Sequence, residues 1–161
     1  MVAAVAARGL LAGLLLLPTR TDAWLNDITF VVPAKQENPG AVAQTISIDC
    51  TFEDPVDVLF LAGHLHELGE AFSVDHSRAD GSERIYEVPD WDPYYRDVPP
   101  VNEYQVGEYH VAAGDSFTTT CTWTNPTDRE VGFPEEMCAT YGMAYPTKVP
   151  IICTPEPTVL E

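Results

Sequence analysis

Between Ala43 and Phe52 the chain alternates: Ile46, Ile48, Cys50 and Phe52 fall on one side, Ser47, Asp49 and Thr51 on the other. A period of two residues predicts a half-buried strand. Pro55 to Leu61 (Pro-Val-Asp-Val-Leu-Phe-Leu) reads as another, rich in β-branched and large apolar residues. Further strands are predicted at Ile28–Val32, Ile85–Val88, Tyr104–Ala112, Ser116–Thr124 and Ile151–Cys153. Ala71–Val74 extends or follows the second strand, and Glu135–Tyr145 predicts a turn of helix or an irregular strand. Trp24–Asp27 reads as a short lead-in. Turn signals separate these segments: Gln36–Gly40, Glu53-Asp54-Pro55, the polar stretch Asp75–Glu83 around Asp80-Gly81, Ala113–Asp115 and Asn125–Asp128. Asp90–Arg96 is an aromatic loop. Strands at this spacing predict an all-β domain, an antiparallel β-sandwich of the jelly-roll kind.

Composition sharpens the picture in three places. The 161 residues are 45% hydrophobic, enough for one core. A formal charge of −17 repels phosphate backbones and disfavours nucleic acid as a partner. Residues 1–23 read as a secretory signal, with Arg8 the only charge in its first nineteen residues, an apolar run from Leu10 to Leu17, and Thr21-Asp22-Ala23 at the cut. That run is too short for a permanent membrane span. Residues 24–161 are then the mature domain, secreted to an extracellular or periplasmic medium. Cys50, Cys121, Cys138 and Cys153 form an even set in an exported chain, so paired disulfides are expected, in any of three connectivities. No Cys-x-x-Cys pair suggests zinc.

The candidate chemistry lies in Gly63-His64-Leu65-His66-Glu67-Leu68-Gly69. If the strand that begins at Pro55 continues into this motif, His64 and His66 project from one face. Two neutral imidazoles there make half of a metal site. Glu67, Glu70 and Asp75 read as solvated carboxylates, Trp91, Tyr94 and Tyr95 equally as walls of a substrate pocket or as loop aromatics packed over one end of the fold, and His110 as a structural histidine.

Taken with Gly114-Asp115-Ser116-Phe117-Thr118-Thr119-Thr120-Cys121-Thr122-Trp123, with Glu135-Glu136-Met137-Cys138-Ala139-Thr140-Tyr141 and with Phe30-Val31-Val32-Pro33-Ala34, this motif resembles a known family. It is the C-terminal domain of the copper type II, ascorbate-dependent monooxygenases, the family of peptidylglycine α-hydroxylating monooxygenase and dopamine β-monooxygenase. The likeness runs from about Thr29 to Thr154. It implies one copper held by His64, His66 and Met137, with oxygen activated beside the substrate. A thioether suits soft Cu(I), and imidazole suits both copper states. The resemblance also implies disulfides Cys50–Cys153 and Cys121–Cys138, Tyr141 as a substrate contact, ascorbate as reductant, and O2 with a small organic molecule as co-substrates.

This chain departs from the family in specific residues. Family hydroxylases carry a first domain with a three-histidine copper, and His76 and His110 are isolated here. The resemblance then implies either a partner chain that supplies the electron-transfer copper or a first domain missing from a truncated reading frame. The arginine and asparagine that anchor a peptide carboxylate are Ala62 and Ala139. Two functions follow: the oxygen-activating half of a monooxygenase, or a non-catalytic single-copper module for storage or adhesion.

Overall fold

A computed structural model describes residues 22–27, 31–32, 44–147 and 151–153. Its strands are β1 (Asp22–Asp27), β2 (Val31–Val32), β3 (Gln44–Thr51), β4 (Val56–His64), β5 (Gly69–Arg78) and β6 (Gly81–Val88). After a 3-10 turn at Pro93–Arg96 come β7 (Asn102–Glu103), β8 (His110–Val111), β9 (Ser116–Trp123), β10 (Val131–Gly132), β11 (Ala139–Tyr145) and β12 (Ile152–Cys153). One sheet runs β12-β1-β11-β4-β7, with β8 also on β4; another runs β3-β9-β5-β6; β10 and β2 pair separately. All pairings are antiparallel except β1 with β12. The described residues are thus mostly antiparallel β-sheet and carry two disulfides, Cys50–Cys153 and Cys121–Cys138.

Alternation explains the central strands. Along β9, Phe117, Thr119, Cys121 and Trp123 are buried, while the threonines between them face outward. Those outer hydroxyls pair with β3: Thr122 with Thr45 at 3.1 Å, Thr120 with Ser47 at 2.8 Å, and Thr118 donating to Asp49 at 2.6 Å. Such cross-strand pairs set the register of a sheet. Inward, Val58 and Leu61 of β4 share one apolar cluster with Phe72 and Val74 of β5 and with Phe117 and Trp123 of β9. Within that core the buried hydroxyls of Thr119 (β9) and Thr140 (β11) bond each other at 2.6 Å, joining the two large sheets. Both disulfides also run from one large sheet to the other or its immediate flank, Cys50 on β3 to β12 and Cys121 on β9 to the residue before β11.

Several elements differ from the sequence reading. Trp24–Asp27, a lead-in by sequence pattern, belongs to β1, which pairs with β11 along its whole length. It begins at Asp22, so a cut after Ala23 would remove its first two residues. Asp75–Glu83 is mostly strand, not turn, with only Ala79 and Asp80 at the tip. Its polar residues satisfy one another across the hairpin: Arg84 bonds Asp75 at 2.6 Å, Arg78 bonds Glu83 at 2.6 Å, and Ser77 bonds Ser82 at 3.3 Å. Conversely, Tyr104–Ala112 forms strand only at His110–Val111. Tyr104 and Tyr109 each bond the β4 backbone at 2.9 Å, but Gly107, at φ +82°, turns the chain away between them. Glu135–Tyr145 resolves into a turn followed by β11. Residues 1–21, 28–30 and 36–40, which hold the leader, the start of the first expected strand and an expected turn, lie outside the described residues.

Candidate metal centre

Strand β4 delivers the first imidazole. Leu61 is buried, and a Cβ on Gly63 would sit 2.4 Å from the Phe72 ring, so both positions face the core. Alternation then puts Phe60, Ala62 and His64 on the opposite face. Their partners across β11 are Met143, Tyr141 and Ala139. The Tyr141 ring lies 5.7 Å from that of Phe60, and burial raises its phenol above the ordinary value.

The strand ends at His64, so strand periodicity does not carry the motif through to His66. Leu65 instead plugs the core, and the chain turns over it: Gly69 donates to the His66 carbonyl at 3.4 Å, and a Cβ on Gly69 would meet Leu65 and Trp91 at under 3 Å. The two rings nevertheless converge. Their Nε2 atoms are 3.0 Å apart, with centroids 5.0 Å apart and planes crossing at 88°. His66 Nδ1 lies 3.0 Å from the Glu135 carbonyl oxygen, which can only accept. Nδ1 therefore carries the proton, and a neutral ring presents a bare Nε2 lone pair. For His64, burial above all, then the neighbouring His66 and the Arg96 charge, holds the pKa below its ordinary value, while the Arg96 backbone also bonds the ring. A neutral imidazole anchored by a carbonyl is the form a metal takes up.

A residue the motif reading left without a role completes the frame. Glu136 is wholly buried. Its Oε1 accepts the His66 backbone N–H at 2.5 Å and the Met137 N–H at 3.0 Å, and its Oε2 accepts the Leu68 N–H at 2.8 Å. One carboxylate thus joins the histidine loop to the segment bearing Met137, which is half-buried, and Cys138 follows directly in its disulfide. The sequence pattern alone assigns Glu136 no role. The cue was its place between a turn and a disulfide cysteine.

The other singled-out residues have separate engagements. Glu67 pairs with Arg96 at 2.5 Å and Asp75 with Arg84, both near the surface. The Glu70 carbonyl accepts the Trp91 N–H at 2.7 Å, and Trp91 is buried beneath the loop against Phe72 and Tyr95. Tyr94 stands exposed. His110 bonds Asp57 at 2.9 Å, and buried His76 lies between Tyr109 and Asp115.

Among the described residues no three His, Cys, Asp or Glu side chains gather into a metal-sized group. A third protein donor beside the His pair would therefore be of another kind, and a thioether is on the adjoining segment. Two imidazole nitrogens and one thioether suit copper better than zinc, magnesium or calcium. The family model for the copper type II ascorbate-dependent monooxygenase, C-terminal domain, matches residues 11–157. No curated protein matches the chain.

Proposed function

The chain belongs to the copper type II ascorbate-dependent monooxygenase C-terminal domain family, and from that premise we propose that it is the oxygen-activating half of a secreted monooxygenase. His64, His66 and Met137 would hold one copper ion. Bound there, the metal supplies one-electron redox chemistry toward O2. The balanced reaction takes a C–H compound, O2, two electrons and two protons to an alcohol and water. Ascorbate or another reductant would supply the electrons, through a partner chain carrying the electron-transfer copper. The protein's own part is to bring both imidazoles to one point, with His66 oriented by the Glu135 carbonyl, and to present the β4–β11 face, with Tyr141 as a contact, to a small organic substrate. Ala62 and Ala139 offer no charge to a substrate carboxylate. The leader at residues 1–23 would direct export, and residues 24–161 would form the mature domain. The two large sheets would pack as a jelly-roll-like sandwich, a reading supported by their shared apolar cluster and their cross-sheet bridges.

The observation that carries this reading is the 3.0 Å approach of the two Nε2 atoms, with His66 fixed by the Glu135 carbonyl. A second reading, a single-copper storage or adhesion module without catalysis, draws on His76 and His110, which are both engaged with carboxylates away from the pair. The test is a Cu(I) titration of the ascorbate-reduced mature protein, alongside His64→Ala and Met137→Ala. One tight equivalent, weakened in both variants, is expected. Binding indifferent to both substitutions would overturn the copper assignment. Substrate-dependent oxygen uptake with ascorbate, once an electron-transfer copper domain is supplied, against none under the same conditions, separates the two functions.

A further inference from the structure

Glu136 is an ionisable side chain with no exposed surface, and no Arg, Lys or His pairs with it among the described residues. The nearby arginines are already engaged, Arg96 with Glu67 and Arg129 with Glu135. A buried carboxylate without a counter-ion is costly unless amide donors or a cation balance it. Three amides supply part of that balance, from His66, Leu68 and Met137. Two of these belong to proposed metal ligands and the third lies two residues beyond His66.

We infer that Glu136 is the positioning residue of the metal centre. Its carboxylate sets the spacing between the imidazole loop and the thioether segment, and its negative charge biases the bound ion toward the higher oxidation state. This inference rests on the copper reading above. The physical argument has two parts. A shared carboxylate that accepts from both segments makes the ligand set preformed, so metal binding need not order the loop. A fixed negative charge inside a poorly solvated site stabilises Cu(II) more than Cu(I), because the divalent ion interacts with it more strongly.

The test compares wild type, Glu136→Gln and Glu136→Asp, each copper-loaded, by reduction potential and by Cu(I) and Cu(II) competition titrations. Gln keeps the shape, loses the charge and replaces one acceptor with a donor. Affinity is expected to fall about 10- to 100-fold, the usual effect of removing a group that orients a ligand. Cu(II) affinity should fall more than Cu(I), raising the potential by about 59 mV for each tenfold difference. Asp keeps the charge, so its potential should stay near wild type even where its affinity drops. A purely architectural carboxylate would lower stability in both variants and leave both potentials unmoved, which overturns the inference. Should the Gln variant not fold, the wild-type protein provides the measurement. The amide protons of His66, Leu68 and Met137 should resonate downfield, resist exchange and move together on copper loading. Exchange at the rate of free amides overturns the inference. Copper binding by wild type with an unaltered Gln variant rejects only the role of Glu136. Absence of binding in wild type rejects the copper reading itself.

Discussion

His76, on β5, is wholly buried, with Nδ1 2.7 Å from the Tyr109 hydroxyl and Nε2 3.0 Å from Asp115 Oδ2. The carboxylate can only accept, so Nε2–H donates to it, while Nδ1 lies against a phenol oxygen whose own O–H donates to Glu83 at 2.9 Å. Burial is the main cause that lowers the pKa of His76 below 6.5; the Arg78 charge adds to it, against the opposing pull of Asp115 and Glu83. The folded chain therefore binds fewer protons than the unfolded chain below pH 6.5. Its contribution to stability is full above that value and is lost as pH falls through the lowered folded pKa. For Asp115, burial opposes the charge, but the Ala112 amide and His76 outweigh it, so its own loss comes at more acidic pH. Urea midpoints of the metal-free protein should decline from pH 7.5 to 5, and His76→Gln should flatten that decline. Parallel pH profiles for the two proteins would assign the dependence elsewhere.

The bridge from Cys121 to Cys138 ties the residue after Met137 to a central strand, where Cys121 faces Ile46 of β3 and Phe72 of β5. Replacing both cysteines with alanine should lower stability by about 3 kcal/mol, the usual effect of opening a loop of this size. It should also weaken Cu(I) binding, and Met137→Ala should cost less affinity in that background than in wild type. Competition titration across the four proteins measures this, and strictly additive losses would mean the bridge does not hold the thioether. At this scale the sequence was readable wherever one face of a strand is buried, as in Gln44–Thr51 and Ser116–Trp123. It misled where burial does not decide. Asp75–Arg78 is strand because arginines and carboxylates pair across the hairpin, and the alternation of Tyr104–Ala112 is broken by a glycine turn. The His pair was visible as a spacing, but its convergence comes from Leu65 entering the core and Glu135 holding a ring. Neither contact is written in the local pattern, and a buried Glu136 looks like any other surface carboxylate until the fold surrounds it.

Across the whole molecule the charge is −17, and each described arginine is already paired with a carboxylate: Arg78 with Glu83, Arg84 with Asp75 and Glu87, Arg96 with Glu67, and Arg129 with Glu135. The long-range field is therefore negative, and it favours cationic encounter partners. With copper bound, stopped-flow oxidation by hexaammineruthenium(III) should slow as salt is raised, while oxidation by ferricyanide should quicken. The opposite pair of salt slopes would mean that the local field at the site is positive. The two disulfides have a topological consequence of their own. The Cys121–Cys138 loop lies inside the Cys50–Cys153 loop, so any single backbone cleavage between residues 50 and 153 leaves the fragments covalently joined. A nick in the segment from Thr124 to Glu130, between β9 and β10, separates Cys121 from Cys138 along the chain but leaves both bridges spanning the break. The imidazoles would then lie on one fragment and the thioether on the other, with the two still one molecule until a reductant reaches both sulfur pairs.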